Sequence, residues 1–587
     1  MKGEKIMANG AEIIARYLAE EGVEYVFGMC GHTNVALLDA LTYKAKIKFI
    51  SCRHEQIAAH SADAYFRATH KPGIVLVHVG PGMTNAVTGV ANASLDSSAM
   101  VVIAGDIPSF HFGQDPHQEI KLHMDGAQFE IYRPFVKRAW RIHDVKFIPD
   151  IIARAFNIAT SGRPGAVLVD VPMDMFSREC GRECEALTQR KVTGKRISGD
   201  SAEIEKAVRM LHAAKNPVLY FGGGVILSDA CKEATELAEC FGIPVATTLM
   251  GKGSIPEDHP LSIGMTGFWG TPLANGMTKQ ADLILAVGTR FPETDSSSWM
   301  PGQTFSIPPT KLIHVDIDMM EIGKVFPVEI GIVGDAKAVL QAMLEAAKSN
   351  FPKKDWKKEP IVSKITKEKG EWLKGLAVHQ NSDAMPMRPE RILKTVRDVL
   401  PKDGIILTDV GWNKNGVGQQ FPIYLPRTHM PPGGLATMGF GPAAAVGAKI
   451  GAPDKAVIAL VGDGAFSSVS PVVATAVEND LGVIWLVMNN YGYGVITGLQ
   501  KRAFGRAACT EFVRTETGEK YNPDFALLAK AYGAEGYRVE NPKELKPTLE
   551  KAIASGKPTV LDVFMDPTIF VPTTGYWDVT DIFLGKM

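Results

Sequence analysis

The feature that most constrains the fold is a series of short apolar runs, each of which precedes a glycine-rich turn and a helical pattern. Apolar runs of about four to eight residues that alternate with helices are typical of buried parallel strands in α/β units. The runs that we interpret as strands are Ile74–Val79, Met100–Ala104, Ala166–Val171, Pro217–Phe221, Leu283–Gly288, Leu312–Asp316, Ile405–Asp409, Ala456–Asp463, Val483–Asn489 and Thr559–Phe564. The sequence therefore predicts an α/β protein with parallel sheets.

The runs fall into three groups, which we interpret as three doubly wound parallel-sheet domains. This number agrees with a chain of 587 residues, because a domain usually has roughly 100–200 residues. The groups occupy residues 8–185, 200–350 and 385–570. A charged stretch at 178–200 is interpreted as a linker, and a lysine-rich stretch at 353–374 as an exposed connection or a solvated helix. The tail at 571–587 has aromatic residues and few charges, so we expect it to dock on the body of the protein.

Composition excludes several classes of partner. The chain has 63 Lys+Arg and 64 Asp+Glu, a net charge of -1, so nucleic acid and anionic membranes are not attracted at long range. We expect no membrane span, because no apolar run reaches about 18 residues, and no signal peptide. The seven cysteines are scattered, and we expect reduced thiols in a cytoplasmic protein. Cys180 and Cys184 lack the second Cys/His pair that a zinc site needs.

The strongest site signal lies in the third group. Gly462-Asp463-Gly464-Ala465 ends one apolar run, and Asn489-Asn490 ends the next, with a helix predicted between them at Ser468–Asn479. Asp463 and Asn490 are then expected at the carboxyl ends of neighbouring parallel strands, where open α/β sheets bind ligands. Carboxylate, amide and carbonyl oxygens suit Mg²⁺, and glycines let backbone N–H groups approach a phosphate. The alternative is an ordinary turn beside an unrelated Asn pair, which this spacing disfavours.

The second signal lies in the first group, around Glu55 in the segment CRHEQIAAH. Glu55 opens a predicted helix, and by itself it is best interpreted as an acidic residue favoured at a helix N-terminus. The segment Val79–Asn85, VGPGMTN, follows at a strand end. Its glycines bring the backbone close to a ligand, which favours a binding role for both segments.

Four segments in order resemble the thiamine-diphosphate-dependent enzymes, and the acetolactate synthase branch in particular: RHEQIAAHSADAYFRATHKPG, GPGMTNAVTGVANA, GGLATMGFGPAAAVGAK and GDG…NN. The resemblance implies that Glu55 hydrogen-bonds the aminopyrimidine ring of the cofactor. It implies Mg²⁺ ligands from Asp463, Asn490 and the carbonyl of Gly492. Met438 matches the residue that holds the cofactor bent, although core packing would also explain it. The other implied cofactor residues are Gly80, Asn85, Gly411, Ala436, Gly462, Gly464, Ala465 and Val495.

The resemblance also implies an assembly. In this family the first domain of one chain binds the pyrimidine, and the third domain of a partner chain binds the diphosphate. The implied unit is a homodimer at least, with a tetramer expected. The implied partner is a small-molecule 2-oxo acid or diketone substrate.

The middle group resembles the FAD-binding domain of the acetolactate synthase branch. Single strand-end motifs of this kind are weak signals. The resemblance implies that Arg290 pairs with the flavin phosphates and that an acid within 316–318 takes the adenosine end. Related enzymes use this domain for ADP or leave it empty, and the FAD need not be redox-active. The implied residues are Gly222, Gly223, Gly224, Leu249, Met250, Gly264, Gly267, Arg290, Asp316, Asp318 and Asp335.

The substrate region departs from the synthase pattern. Gln118 and Lys137 are kept, but His117 stands where an aromatic residue is usual. Gly498 and Leu499 stand where larger side chains would shape the pocket. The pair at 412–413, Trp-Asn, replaces the usual Gln-His near the diphosphate. These differences put a reaction between two pyruvate molecules in doubt while leaving the cofactor chemistry intact.

Two histidines are added to the pattern. His32, in a Gly-His-Thr segment, resembles cyclohexane-1,2-dione hydrolase, a thiamine enzyme that cleaves a C–C bond in a cyclic diketone. His78 precedes the glycine turn. Histidine is suited to proton transfer near neutral pH, and the alternative is that each ring simply packs under the turn.

Three functional hypotheses follow. The first is a carboligase that decarboxylates a 2-oxo acid and transfers the acyl unit, with Glu55 and Gln118 as catalytic residues. The second is a thiamine-dependent lyase, hydrolase or decarboxylase acting on a diketone or an acyl-CoA, with His32 and His78 as further catalytic residues. The third is a flavin- or nicotinamide-dependent oxidoreductase that uses the middle domain, which would make Glu55 and the GDG…NN motif coincidental.

Overall fold

The computed structural model of the chain describes residues 8–120, 127–181, 184, 196–352 and 354–586. Residue 185, residue 353 and most of the charged connection expected at 178–200 lie outside the described residues. The described chain forms three six-stranded sheets. All strand pairs within them are parallel, which confirms the predicted fold class.

The first sheet pairs its strands in the order β2-β1-β3-β4-β6-β5. The strands are β1 (Tyr25–Gly28), β2 (Lys48–Ser51), β3 (Gly73–Val77), β4 (Met100–Asp106), β5 (Arg138–Arg141) and β6 (Ala166–Pro172). The helices are α1 (Gly10–Glu20), α2 (Val35–Asp39), α3 (Glu55–Thr69), α4 (Pro81–Leu95), α5 (Ile148–Thr160) and α6 (Met173–Ser177). Strands β3, β4 and β6 are buried along their whole length, since helices cover both faces of the sheet.

The second sheet has the order β12-β11-β10-β7-β8-β9. Its strands are β7 (Pro217–Phe221), β8 (Val245–Thr247), β9 (Ser262–Met265), β10 (Leu283–Val287), β11 (Lys311–Asp316) and β12 (Ile330–Val333). Its helices are α7 (Ser201–Ala213), α8 (Gly223–Leu227), α9 (Cys231–Phe241), α10 (Pro272–Lys279) and α11 (Ala336–Asn350). The lysine-rich stretch that follows contains α12 (Pro360–Gln380), most of which is exposed.

The third sheet has the order β14-β13-β15-β16-β18-β17. Its strands are β13 (Ile405–Thr408), β14 (His429–Met430), β15 (Val457–Gly462), β16 (Val483–Asn489), β17 (Glu535–Val539) and β18 (Thr559–Phe564). Its helices are α13 (Pro389–Val399), α14 (Trp412–Gln420), α15 (Phe440–Gly451), α16 (Asp463–Val469), α17 (Val472–Glu478), α18 (Gly494–Phe504), α19 (Phe525–Ala531) and α20 (Pro542–Ser555). The prediction of a single helix at Ser468–Asn479 is wrong. Helix α16 begins directly after β15, and the helical structure is interrupted near Pro471 before α17 begins.

Helix α3 of the first domain packs along α15 of the third domain. One continuous apolar core contains residues of both helices, among them Ile57 and Phe440. Ser61 Oγ donates to the carbonyl of Ala443 at 2.9 Å. The first and third domains of one chain therefore share a core.

The tail lies against the second domain, as expected. Thr574 Oγ1 donates to the carbonyl of Gly270 at 2.7 Å, and Trp577 Nε1 donates to Glu293 Oε1 at 2.9 Å. The last helix, α21 (Val579–Phe583), contacts α18. The tail thus bridges the second and third domains.

The cysteines differ from expectation at one pair. Cys180 and Cys184 form a disulfide, so the expectation of reduced thiols is wrong for these two. The five remaining cysteines are free. No helix in the described part of the chain is both long and apolar enough to cross a membrane.

Candidate active site

A cavity of about 740 Å³ opens at the carboxyl ends of β15 and β16. These strands are neighbours in the third sheet, with Gly462 opposite Met488. The structure brings together at this cavity every third-domain residue predicted to bind the cofactor, namely Gly411, Ala436, Met438, Gly462, Asp463, Gly464, Ala465, Asn490, Gly492 and Val495.

Asp463 is the first residue of α16 and is almost fully buried. Its Oδ1 accepts a hydrogen bond from the N–H of Gly464 at 2.8 Å, and its Oδ2 accepts from Asn522 Nδ2 at 2.8 Å and from the N–H of Gly492 at 3.3 Å. Burial raises the pKa of the Asp463 carboxyl, against the effect of these bonds. Asn522 was not predicted, because it follows no strand end.

The donor set at this edge fits Mg²⁺. It offers one carboxylate, the amide oxygen of Asn490 and the backbone carbonyl of Gly492, and hard oxygen donors suit this ion. Within the described ranges, no cluster of three or more His, Cys, Asp or Glu side chains could hold a metal. A metal here would therefore depend on amide and carbonyl oxygens together with Asp463.

The loop that carries Met438 is held by the first domain of the same chain. The Met438 side chain is 41% exposed and lines the cavity, so core packing does not explain it. Its carbonyl accepts a hydrogen bond from Gln56 Nε2 at 3.5 Å. Asp96 Oδ2 accepts from the N–H of Gly433 at 3.0 Å, at the start of the same loop.

Glu55 begins α3, and its side chain is 5% exposed. Asn85 Nδ2, from the first turns of α4, donates to Glu55 Oε2 at 3.0 Å. Tyr132 is buried nearby; burial first and the Glu55 charge second raise the pKa of its hydroxyl, which donates to the carbonyl of Met83 at 2.6 Å. The structure thus joins two predicted residues, Glu55 and Asn85, in one hydrogen bond.

A cluster of histidines surrounds the predicted Gln118. His78 Nδ1 lies 2.9 Å from Thr33 Oγ1, and His78 Nε2 lies 2.7 Å from Gln118 Oε1. The His32 ring meets the His78 ring edge-on, with centroids 4.7 Å apart, and lies 5.9 Å from the His117 ring. Burial, and then the charges of the other two histidines, lower the pKa of His32.

The positive φ of Gly80 and its missing side chain let Gln118 pack against the glycine turn that follows β3. Gly80 has φ +53°, and a Cβ atom there would lie 1.9 Å from the carbonyl oxygen of Gln118. Only glycine therefore allows Gln118 to approach so closely. Gly80 N–H donates to Gln128 Oε1 at 3.0 Å, and Gln128 in turn donates to Asp170 at 2.6 Å. Gln128 was not predicted, because its own segment carries no glycine or strand-end signal.

Lys137, the other residue kept from the synthase pattern, lies at the carboxyl end of α5 and not beside Gln118. Its Nζ donates to the carbonyls of Ile158, Ser161 and Arg163 at 2.5, 2.7 and 2.8 Å. Burial, and then the Arg163 charge, lower its pKa to about 8. Lys137 therefore terminates α5 and does not join the histidine cluster.

The two halves of the candidate site do not meet within one chain. The residues that line the 740 Å³ cavity come from the second domain, the third domain and the tail. Glu55, Asn85, Gln118 and the histidines are not among them. A cofactor that used both halves would need to bridge two surfaces that one chain does not bring together.

A second cavity, of about 610 Å³, lies where the three domains meet. The predicted residues that line it are Gly223, Gly224, Met250, Arg290, Asp316 and Asp335. Gly222 lies behind this wall, where its N–H donates to the carbonyl of Val287 at 3.0 Å. Asp318 lies at the edge, with Oδ2 3.6 Å from Arg163 Nη1. Leu249, Gly264 and Gly267 do not line the cavity.

The second cavity carries both cationic and acidic groups. Arg290 Nη2 donates to the carbonyl of Leu95 at 2.7 Å, and burial followed by the charge of Arg163 lowers the Arg290 pKa. Arg163 Nη1 donates to Glu321 at 2.8 Å. Burial raises the pKa of Asp316 to about 6. Guanidinium groups suit phosphates and the acids suit sugar hydroxyls, so the lining fits a nucleotide cofactor.

Asp335 already has protein partners. It accepts from Arg196 Nη1 at 2.8 Å and caps α11 through the N–H groups of Lys337 and Ala338. Arg163 and Arg196 were not predicted as cavity residues. Arg163 and Arg196 come from segments outside the second sheet, so no motif of the second domain indicates that they line this cavity.

Comparisons with known proteins identify the family to which the three domains belong. Three family models match the chain, described as the thiamine pyrophosphate enzyme N-terminal TPP binding domain over residues 8–128, the central domain over 204–343 and the C-terminal TPP binding domain over 409–563. Together they match most of the chain.

Full-length relatives point to one branch. The chain is 37% identical to the probable acetolactate synthase large subunit of Methanocaldococcus jannaschii, over 96% of this chain and 93% of that protein. It is 36% identical to the acetolactate synthase large subunit of Corynebacterium glutamicum (94% and 86% covered). It is 32% identical to the acetolactate synthase isozyme 3 large subunit of Escherichia coli (96% and 95% covered). The chain therefore belongs to the thiamine pyrophosphate enzyme family, in the branch of the acetolactate synthase large subunits.

Proposed function

We propose that this protein is a thiamine-diphosphate- and Mg²⁺-dependent carboligase. It decarboxylates a 2-oxo acid, releases CO₂ and transfers the remaining acyl unit to the carbonyl carbon of a second substrate. The observation that carries the proposal is the 740 Å³ cavity, where every cofactor residue predicted in the third domain converges. The relatives named acetolactate synthase supply the reaction class.

When bound, thiamine diphosphate supplies the nucleophilic carbon and the electron sink that decarboxylation requires. Asp463, Asn490 and the carbonyl of Gly492 would hold Mg²⁺ against the diphosphate. Backbone N–H groups at the start of α16 would face the phosphate oxygens. Met438 and Val495 would position the rings of the cofactor from the cavity wall.

Glu55 would hydrogen-bond the aminopyrimidine ring and hold the proton that the ring exchanges. Its carboxylate is buried and oriented by Asn85, so only one side of it is free to face a ring. A carboxyl group fixed in this way is suited to general acid–base work.

Gln118 would contact the substrate, with its side chain fixed by the hydrogen bond to His78. His78 is in turn held by Thr33, so we assign it a positioning role. His32 lies beside His78 at the exposed end of the cluster and would donate or accept a proton at the substrate.

We also propose FAD as the occupant of the 610 Å³ cavity, with Arg290 at its phosphates and Asp316 at its adenosine end. The size of the cavity is within the usual range for ligand sites. ADP is the alternative. The proposed roles of Leu249, Gly264 and Gly267 stay predictions.

The functional unit would be a homodimer at least. The first domain (8–185) of one chain would bind the pyrimidine and the third domain (385–570) of its partner the diphosphate, while 200–350 binds the nucleotide. The separation of Glu55 from the cavity within one chain supports this arrangement. A cytoplasmic location stays a prediction; the free cysteines agree with a reducing compartment, and the Cys180–Cys184 disulfide does not.

The test is a panel of 2-oxo acids with thiamine diphosphate and Mg²⁺, with CO₂ and the product measured by mass spectrometry. Glu55→Gln should abolish turnover while the folded state is retained, and Glu20→Gln, the same change at an exposed position of α1, should not. Asp463→Asn should abolish Mg²⁺-dependent binding of thiamine diphosphate, and Asp480→Asn at an exposed turn should not. Full turnover by Glu55→Gln would contradict the proposal.

Mixing the two inactive variants tests the shared site. In a dimer with one Glu55→Gln chain and one Asp463→Asn chain, a site built from two chains is intact once and doubly altered once. Co-expression should then restore activity. Sites contained within single chains would each carry one change, and activity would stay absent.

A further inference from the structure

The ring of Phe570 packs against the backbone of helix α18 at the wall of the 740 Å³ cavity. Gly498 and Phe570 both line this cavity. A Cβ atom at Gly498 would lie 2.7 Å from ring atoms Cδ1 and Cε1 of Phe570. The Phe570 ring therefore occupies the space that any larger side chain at 498 would need.

The segment that carries Phe570 is anchored directly after the ring. Val571 is buried, and the carbonyl of Pro572 accepts a hydrogen bond from Gln419 Nε2 at 2.8 Å. Gln419 also donates to the carbonyl of Gly270 at 3.1 Å, which ties α14 to the second domain at the same point. The Phe570 ring is thus held against the cavity although it is 38% exposed.

Much of the wall of the cavity that the Phe570 ring borders is apolar. Phe268, Trp269 and Trp577 form an aromatic group on the same cavity, with ring centroids 4.7 to 5.5 Å apart. From α18, the apolar Ile496 and Leu499 line the wall, and so do the cationic Lys501 and Arg502. A side chain that enters beside the apolar residues meets hydrocarbon there, so its volume decides whether it fits.

We propose that Phe570 is the residue that limits the size of the substrate side chain in this cavity, and that Gly498 is needed to seat its ring. The proposal rests on the carboligase function above. One methylene in an apolar pocket changes kcat/KM by about 10-fold to 200-fold, so one phenyl ring is enough to exclude larger substrates.

The experiment compares kcat/KM for pyruvate, 2-oxobutyrate and 4-methyl-2-oxopentanoate in the holoenzyme. Phe570→Ala should raise the ratio of the largest substrate to pyruvate by at least about tenfold, and Phe570→Leu should raise it less. Phe504→Ala is the matched control: it removes a ring at the end of α18, the helix of Gly498, where Phe504 stacks on Phe583 and does not line the cavity. It should leave the ratio unchanged.

The role of Gly498 is tested by a double-mutant cycle. Gly498→Ala should displace the ring and change the ratio in the wild-type background. In the Phe570→Ala background the same change should be nearly neutral, because the ring that it would meet is absent. Equal effects of Gly498→Ala in both backgrounds would contradict the proposed seating.

The outcomes separate this proposal from the function on which it rests. If the wild-type protein turns over 2-oxo acids and neither Phe570→Ala nor Phe570→Leu changes the ratio, the size limit is refuted and the function stands. If the wild-type protein turns over none of the three with thiamine diphosphate and Mg²⁺, the function fails and the size limit fails with it.

Discussion

The guanidinium of Arg67 is buried between the first and third domains, and its removal should be costly. Nε and Nη2 donate to Asp63 at 2.7 and 2.9 Å, Nη2 also donates to Asp96 at 2.8 Å, and Nη1 donates to the carbonyl of Pro431 at 2.7 Å. Arg67→Met keeps the aliphatic stem and removes every one of these donors. Two buried carboxylates would be left facing each other without a counter-charge.

The expected loss follows from that geometry. Breaking a buried ion pair by removing one partner costs about 3–5 kcal/mol. A loss of 1 kcal/mol lowers the Tm of a domain of 150–250 residues by roughly 2–4 °C, so we expect the Tm of Arg67→Met to fall by roughly 6–20 °C. Arg209→Met, which breaks only an exposed pair with Glu205, should cost less than about 1 kcal/mol.

A second variant isolates the cause of the loss. Without Arg67, Asp63 and Asp96 repel each other, so adding Asp96→Asn to Arg67→Met should recover part of the lost stability. Scanning calorimetry measures the Tm of each variant. A deficit of Arg67→Met below about 1 kcal/mol, or no recovery on adding Asp96→Asn, would refute the reasoning.

Three further changes test other parts of the structure. Gly80→Ala should lower kcat/KM and cost about 1–3 kcal/mol, because its Cβ would meet the carbonyl of Gln118 at 1.9 Å; Gly22→Ala, with positive φ and open space around it, is the control in calorimetry and kinetics. Arg290→Gln should lower the flavin content of the purified protein, read from the absorption spectrum of the released cofactor, and an unchanged content would refute its phosphate role. The pKa of the Asp316 carboxyl is about 6 in the folded state and about 4 in the unfolded state. This group therefore lowers the stability of the wild-type protein as the pH rises from about 4 to about 6. The Tm of Asp316→Asn relative to wild type should therefore rise between pH 4 and pH 7, and a flat difference would contradict this.

The strands at the centre of each sheet could be predicted from the sequence, whereas the edge strands and two inner strands, β1 and β8, were missed. The predicted strands are β3, β4 and β6, then β7, β10 and β11, then β13, β15, β16 and β18, which are neighbours at the centre of their sheets. Inner strands are covered on both faces and flanked on both edges, so they read as continuous apolar runs. The missed strands lack such a run. β12 alternates between buried and exposed residues, β5 reads Arg-Ala-Trp-Arg, and the buried β8 has only three residues.

The same contrast holds for the candidate site. Asp463 and Asn490 follow inner strands, so their meeting could be predicted from the order of motifs. Asn522, Gln128 and Phe570 reach the site from connections, and nothing in their own segments indicates what they contact. The distance along the chain from Gly498 to Phe570 illustrates the limit, because only the folded tail brings the ring onto that glycine.

Helix α3 links these observations. Its first residue, Glu55, is oriented by Asn85 for a ligand that the cavity of the same chain does not reach. Its second residue, Gln56, supports the carbonyl of Met438 in that cavity, and Arg67 near its end holds Pro431 before the same loop. In the dimer that we propose, one helix would therefore serve two sites, the partner's through Glu55 and its own through the Met438 loop. A change at Gln56 or Arg67 should then weaken cofactor binding at the site of its own chain, whereas a change at Glu55 should act on the partner's site.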